Sequence, residues 1–125
     1  MMFELEILDG GFTISKLNSW KDVPEGRFVF AVATDSEISL VCPSDIVPGD
    51  TAVRDDGWIA MRISGQLDFS LVGVLSRLSA VLAAERIGIF AVSTYDTDYI
   101  LIKTADLDRA KEALKKSGYT FKEKN

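Results

Sequence analysis

Residues 87–107 read IGIFAVSTYDTDYILIKTADL. Two β-rich runs, IGIFAVST (87–94) and YILIK (99–103), flank a tight turn at Asp96–Thr97, which is the pattern of an antiparallel hairpin. What stands on either side of this hairpin decides the fold. Upstream, WIAMRIS (58–64) reads as a strand, GQLD connects it onward, and a helix is predicted over about 70–85. Leu71, Leu75, Leu78 and Leu82 recur at i, i+4, i+7 and i+11, with Val74 and Val81 widening the stripe, the spacing of one buried helix face. Asp68 or Ser70 can cap its first turn, and Gly88 marks its exit. Downstream, a second helix is predicted over about 105–117. Thr104 can cap it, Asp106 and Asp108 sit in its positive first turn, and Lys111, Lys115 and Lys116 lie near its negative end. Leu107, Ala110 and Leu114 form its inner face, and Gly118 stops it. YTFKE (119–123) then alternates as a last strand.

From residue 58 the order is therefore β-α-β-β-α-β, the split βαβ or ferredoxin-like arrangement of an α+β domain. Two helices cover one face of a four-stranded antiparallel sheet. The other face must meet water, a partner, or the first half of the chain.

That first half is thinner. FELEIL (3–8) and FTISKL (12–17) alternate with period two around Asp9, Gly10 and Gly11, so a hairpin is expected. NSWKDVPEGR (18–27) reads as a turn with at most one short helical turn. FVFAVATD (28–35) and EISLVCP (37–43) are β-rich, and 44–57 holds two weak helical turns or plain loop, broken at Pro48 and Gly49. The chain also repeats itself. Phe30, Ala31, Val32 and Thr34 match Phe90, Ala91, Val92 and Thr94 sixty residues on. One extra residue in the second turn then aligns Leu40 with Leu101 and Asp45 with Asp106. The reading adopted is a degenerate duplication: a reduced module over 1–56 that has lost most of its first helix, and a complete module over 57–125, joined near the Asp55-Asp56-Gly57 turn.

Composition narrows the function. The 125 residues carry 19 acidic and 14 basic side chains, for a net charge of −5, and 47% are apolar. These are values of a foldable globular chain, long enough to bury roughly two-thirds of its unfolded surface. The acid excess weighs against a nucleic-acid groove. A single cysteine excludes an internal disulfide and an all-cysteine metal site, and the absence of histidine removes Ser-His-Asp and Cys-His chemistry within one chain. The start has no basic region followed by a long apolar run, and 69–84 is too short and polar for a membrane span. The expectation is a cytoplasmic protein without nucleic-acid or membrane partners.

Individual side chains admit two readings each. Asp96 and Asp98 could pair for acid–base work, but Asp favours turns because it bonds local backbone N–H groups. Cys42, beside Pro43, could be a nucleophile or a buried thiol. Trp58, Phe90, Tyr95 and Tyr99 could stack bases, yet no basic run accompanies them. Asp68, Phe69 and Ser70 lie where the strand gives way to the helix. N–H groups at that helix start suit a carboxylate and Asp68 suits an ammonium, so together they suit a zwitterionic amino acid; Asp68 and Ser70 are equally plain capping residues. The expectation is no catalysis, no metal and no cofactor.

The stretch QLDFSLVGVLSRLSAVLAAERIGIFAVSTYDTDYILIKTADLDRA (66–110) resembles the ACT domain, the small ligand-sensing module of amino-acid metabolism. It is similar to compact bacterial proteins whose halves are both ACT-like, and to the second module of the arginine sensor of animal cells. IGIFAVSTYDTDYIL (87–101) carries the specific part. The resemblance implies regulation rather than catalysis: a free amino acid or similar zwitterion bound at a seam between side-by-side modules, in a homodimer that reports occupancy to a regulated protein. It assigns ligand binding to Asp68, Phe69 and Ser70, to Ile87, Gly88, Ile89 and Phe90, and, through the arginine-sensing relatives, to Asp96 and Asp98. Gly88 would let a ligand approach the backbone. The sequence departs from the family pattern in its helix start, where the usual glycine-rich loop is reduced to Gly73. The alternative is an interaction or structural module without a ligand, and a third reading is a small enzyme.

Overall fold

The computed structural model describes residues 3–64 and 73–123. The chain divides into two compact units, Gly10–Trp58 and the combination of Met1–Asp9 with Ile59–Asn125. Its strands are β1 (Glu4–Ile7), β2 (Phe12–Leu17), β3 (Phe30–Ala33), β4 (Ile38–Pro43), β5 (Thr51–Ile63), β6 (Phe90–Ser93), β7 (Asp98–Lys103) and β8 (Thr120–Phe121), and its helices are α1 (Val74–Ala84) and α2 (Leu107–Lys116).

The unit containing both helices is ferredoxin-like α+β. Its strands run in the order β6-β7-β5-β1-β8, with helices on one face. Leu5, Met61, Ile63, Ile100 and Ile102 point from the sheet into a core closed by Val74, Leu78 and Leu82 of α1 and by Ala110 and Leu114 of α2. The buried line of α1 is thus Val74–Leu78–Leu82, with Leu75 and Val81 half-buried at its margins. In α2 the expected face holds: Ala110 and Leu114 are fully buried and Leu107 packs beside them. Gly118, at φ 98°, is the left-handed residue that ends α2. The N–H of Gly118 bonds to Lys115 O (3.0 Å) and that of Tyr119 to Leu114 O (3.0 Å).

Two expectations are corrected here. β1 and β2 do not form a hairpin. β1 lies between β5 and β8, antiparallel to the first (Leu5↔Ile63) and parallel to the second (Leu5↔Phe121). The sheet is therefore five-stranded and mixed rather than four-stranded and antiparallel. The reason is burial: in this position Leu5 joins Met61 and Ile63 in the core, whereas an isolated two-stranded hairpin has little to bury against.

The other unit, Gly10–Trp58, has the strand order β3-β4-β2-β5 and, among its described residues, only 3-10 turns at Trp20–Asp22 and Ser44–Ile46 in place of helices. One buried apolar cluster in it consists of Leu17, Leu40 and Cys42, with Val23, Val29, Ala31, Ile38, Ile46 and Val47 packed on them. Residues 51–57, expected as turn or loop, are strand. Phe12 pairs with Trp58 but Ile14 with Asp55, so two residues of β5, Asp56 and Gly57, oppose one of β2, Thr13. Gly57, at φ 86°, absorbs the extra residue, and Asp55-Asp56-Gly57 is a β-bulge, not a turn.

The two hairpins keep one spacing throughout. Phe30↔Val41, Ala31↔Leu40, Val32↔Ser39 and Ala33↔Ile38 in the first correspond to Phe90↔Leu101, Ala91↔Ile100, Val92↔Tyr99 and Ser93↔Asp98 in the second. Both turns close alike, Thr34 N–H to Glu37 O at 2.8 Å and Thr94 N–H to Thr97 O at 2.9 Å. The 3-10 turns that follow, Ser44–Ile46 and Thr104–Asp106, fall in step as well. No extra residue enters the second turn: Leu40 corresponds to Ile100 and Asp45 to Ala105. The tight turn tolerates sequence change without insertion because its closing bond and the Thr at its start are retained.

Candidate functional site

The end of α1 shapes the first part of the expected ligand site. Arg86, not Gly88, takes the left-handed conformation there (φ 58°). The N–H of Arg86 bonds to Ala83 O (2.9 Å) and that of Ile87 to Leu82 O (3.0 Å), the paired bonds of a Schellman motif. Gly88 is therefore not the helix stop. Ile87 turns into the core and is 4% exposed. Gly88 emerges beyond it, and a Cβ built there would meet no atom within 4 Å. Ile89 and Phe90 are half-buried as β6 begins. The result is a short open shelf of backbone anchored at both sides by apolar side chains.

The second part lies at the far end of β6. Ser93 and Asp98 face each other across the ladder, and Ser93 Oγ donates to Asp98 Oδ1 at 2.6 Å. Asp96 is exposed at the tip of the turn. Thr94 and Thr97 set that turn: Thr94 Oγ1 donates to Thr97 O (3.0 Å) and accepts from Thr97 N–H (3.3 Å). Thr97, 7% exposed, donates its own hydroxyl to Ile63 O (3.2 Å), which pins the turn to β5. Asp98 is thus brought to Ser93, but Asp96 and Asp98 are not brought to Gly88. The length of β6, about 10 Å for its four residues, separates the shelf from the Asp98 corner. Asp68, Phe69 and Ser70 lie outside the described residues. Gly73 is the N-cap of α1 at φ 78°, and the guanidinium of Arg77 stands 2.9 Å from where a Cβ of residue 73 would be.

Sequence reasoning missed the roles of Ser93 and Thr97, which the repeated hairpin does not flag, since Ala33 and Glu37 stand at the matching positions. It also missed a polar chain across three strands. Arg62 donates to Glu6 Oε1 (3.1 Å) and to the Tyr99 hydroxyl (3.4 Å). The Tyr99 bond first, and Glu6 second, hold its guanidinium above its ordinary pKa against partial burial. Period-two alternation places Glu6 and Arg62 on the face opposite Leu5, Met61 and Ile63. In the unit Gly10–Trp58, buried Thr13 donates to Asp56 Oδ1 (2.5 Å) and shares a hydrogen bond with Ser44 Oγ (2.8 Å), while Arg54 grips the same carboxylate at 2.8 Å. The bulge at Gly57 aims Asp56 there.

Little of this favours covalent chemistry. Cys42 is buried, and burial foremost, with Asp45 second, pushes its thiol up to about 11 against a lowering from Arg54, so the nucleophilic thiolate is scarce near neutrality. Among the described residues, no three His, Cys, Asp or Glu side chains converge to hold a metal ion, and no helix is long and apolar enough to cross a membrane.

A sequence profile of the ACT domain matches residues 53–116. The chain belongs to the ACT domain family. The matched span of this ACT chain takes in most of β5, α1, the β6–β7 hairpin and α2. In three dimensions it is similar to a protein of Agobacterium tumefaciens solved by X-ray crystallography, with a TM-score of 0.88 at 30% identity over 100% of this chain and 96% of that one. It is similar to a Vibrio cholerae protein of unknown function, described as a possible transport protein (TM-score 0.71, 14% identity, 91% of this chain and 88% of that one). The regulatory subunit of aspartate kinase from Thermus thermophilus, in its ligand-free form, shares the fold at a TM-score of 0.64 and 12% identity, over 92% of this chain and 97% of that one. At those identities the last two likenesses are of fold alone.

Proposed function

We propose that this ACT chain is a non-catalytic sensor that binds a free amino acid and passes its occupancy to a partner protein. The observation that carries this reading is the shelf at Gly88: exposed backbone, open space, and apolar anchors at Ile87 and Phe90, in a chain of the ACT family. Backbone N–H and C=O groups there can hold the ends of a zwitterion. The ligand's α-amino group goes to Asp68 and its carboxylate to N–H groups near Phe69 and Ser70, with Ile89 and Phe90 against its apolar part. Asp98 and Asp96, about the length of β6 away, reach only a long side chain or a second ligand. The aspartate kinase subunit that shares this fold is a regulatory one, which agrees with this reading.

The constant spacing of the two hairpins supports a duplication of ACT-like modules, reduced over 1–56 and complete over 57–125. We further propose that the chain works in the cytoplasm as at least a dimer. The reduced unit leaves β3 as an edge strand with Val32 57% exposed, and unpaired edges invite a mate. The same edge favours the second reading, an interaction module without ligand.

Calorimetric titration with each of the twenty amino acids decides between the two. Saturable binding of one or a few, weakened about tenfold or more by Asp68→Asn with melting unchanged, supports the sensor; a tenfold loss corresponds to about 1.4 kcal/mol, within the worth of a charge-assisted hydrogen bond. Binding of none moves the reading to the ligand-free module.

A further inference from the structure

We infer that the groove beside β8 is a second ligand site, separate from the Gly88 shelf, that takes a small multivalent anion. It encloses roughly 640 Å³ and is lined by Ile7, Lys111, Lys115, Phe121, Lys122 and Glu123, with Tyr119 and Thr120. That volume is of the size that holds small molecules. The lining carries three lysines and one glutamate, in a chain whose net charge is −5, so the local sign is opposite to that of the whole. Among the described residues, Lys111, Lys115 and Lys122 have no carboxylate within ion-pair distance.

Their placement follows from the fold. Lys111 and Lys115 are one helical turn apart on α2 and project along one face. Both ammonium groups stand over the ring of Phe121, at 5.5 and 5.9 Å from its centroid, and attraction to the ring restrains two otherwise flexible side chains. β8 is the last strand of its sheet. Thr120 N–H bonds to Phe3 O (3.2 Å) and Lys122 N–H to Leu5 O (2.8 Å). In a parallel pair the intervening residue directs its backbone groups the other way, so the N–H of Phe121 faces the open edge. Two ammonium groups held over Phe121, a third lysine in the lining and one backbone donor therefore border a groove whose apolar lining is Ile7 and Phe121. Two or more negative charges on one small body answer that set. A phosphate-bearing ligand and a polycarboxylate share the chemistry.

Calorimetry with inorganic pyrophosphate and with citrate, at 150 mM salt, tests the site in the wild type, in the double variant Lys111→Gln/Lys115→Gln, and in Lys21→Gln as a remote control. Glutamine keeps helix propensity, and circular dichroism verifies the fold. The expected result is saturable 1:1 binding of at least one probe, weakened at least tenfold in the double variant and unchanged in the control, with the Phe121 amide resonance shifting on titration. Stronger pyrophosphate binding assigns a phosphate ligand, and stronger citrate binding a polycarboxylate. Absence of saturable binding by both probes, equal binding by the double variant, or an equal loss in Lys21→Gln overturns the inference.

Discussion

Ser93 and Asp98 stand directly opposite each other at the turn end of the β6–β7 hairpin, joined by a 2.6 Å hydrogen bond from the serine hydroxyl to the carboxylate. The bond is local and exposed, so its effect on stability is small. A cross-strand pair of this kind contributes about 0.2–1 kcal/mol. Ser93→Ala, Asp98→Ala and the double variant, compared by chemical denaturation, are expected to give a coupling in that range. If the Asp98 corner also contacts a ligand side chain, Asp98→Ala lowers amino-acid affinity by more than Ser93→Ala does. Equal affinities in both variants remove the corner from the site.

Opposite changes at the ends of the two helices predict opposite outcomes. Arg86 and Gly118 occupy equivalent left-handed positions, at φ 58° and φ 98°. A side chain there costs about 1 kcal/mol relative to glycine. Arg86→Gly is expected to raise the melting temperature by a few degrees and Gly118→Ala to lower it by a similar amount, read by scanning calorimetry.

Cys42 predicts a pH dependence. Its folded pKa is pushed up from 9.0 to about 11, so between those values the folded chain holds a proton that the unfolded chain has released. Stability from this group is complete below pH 9 and lost as pH rises towards 11. Denaturant midpoints for wild type and Cys42→Ala should converge across that window. Parallel curves would show that the buried thiol does not titrate as placed. Thiol-reactive dyes should also label the native protein slowly at pH 7.5 and rapidly once it is unfolded.

Thr13 predicts a larger loss. It is fully buried and bonded to Asp56 and Ser44. Thr13→Val keeps the shape, removes both bonds and leaves polar groups behind, at an expected cost of about 1–3 kcal/mol. Gly57→Ala, at the bulge that aims Asp56, is expected to destabilise the same unit, because alanine resists its φ of 86°. A Thr13→Val variant as stable as wild type would show that the cluster is replaceable by water.

Much of the complete unit could be read from local pattern alone. The β-rich runs at 99–103 and 58–64, the 3.6-residue spacing through Leu78 and Leu82, and the Gly118 stop are signals a chain carries within a few residues, because side-chain direction repeats with the backbone. The ACT resemblance rested on the same stretch. The polar residues of the candidate site were legible by type but not by partner. Asp98 was visible as a turn acid, but its bond to Ser93 depends on which residues the ladder sets opposite.

What the sequence by itself determined is the order of strands and helices, the hairpin of 87–103 and its echo at 28–43, and the exclusion of histidine-based chemistry. Tertiary structure alone decided where β1 goes. FELEIL alternates equally well beside FTISKL or between β5 and β8, and only the second position buries Leu5 against Met61 and Ile63. It decided that Asp55-Asp56-Gly57 bends a strand instead of ending one, because the register of β2 admits an extra residue there. It also set Lys111 and Lys115 of α2 over the ring of Phe121. The reason is common to all three: local pattern fixes which way a side chain points along its own element, but the neighbour it meets is selected by long-range burial, where the free energy belongs to the assembled core and not to any one segment.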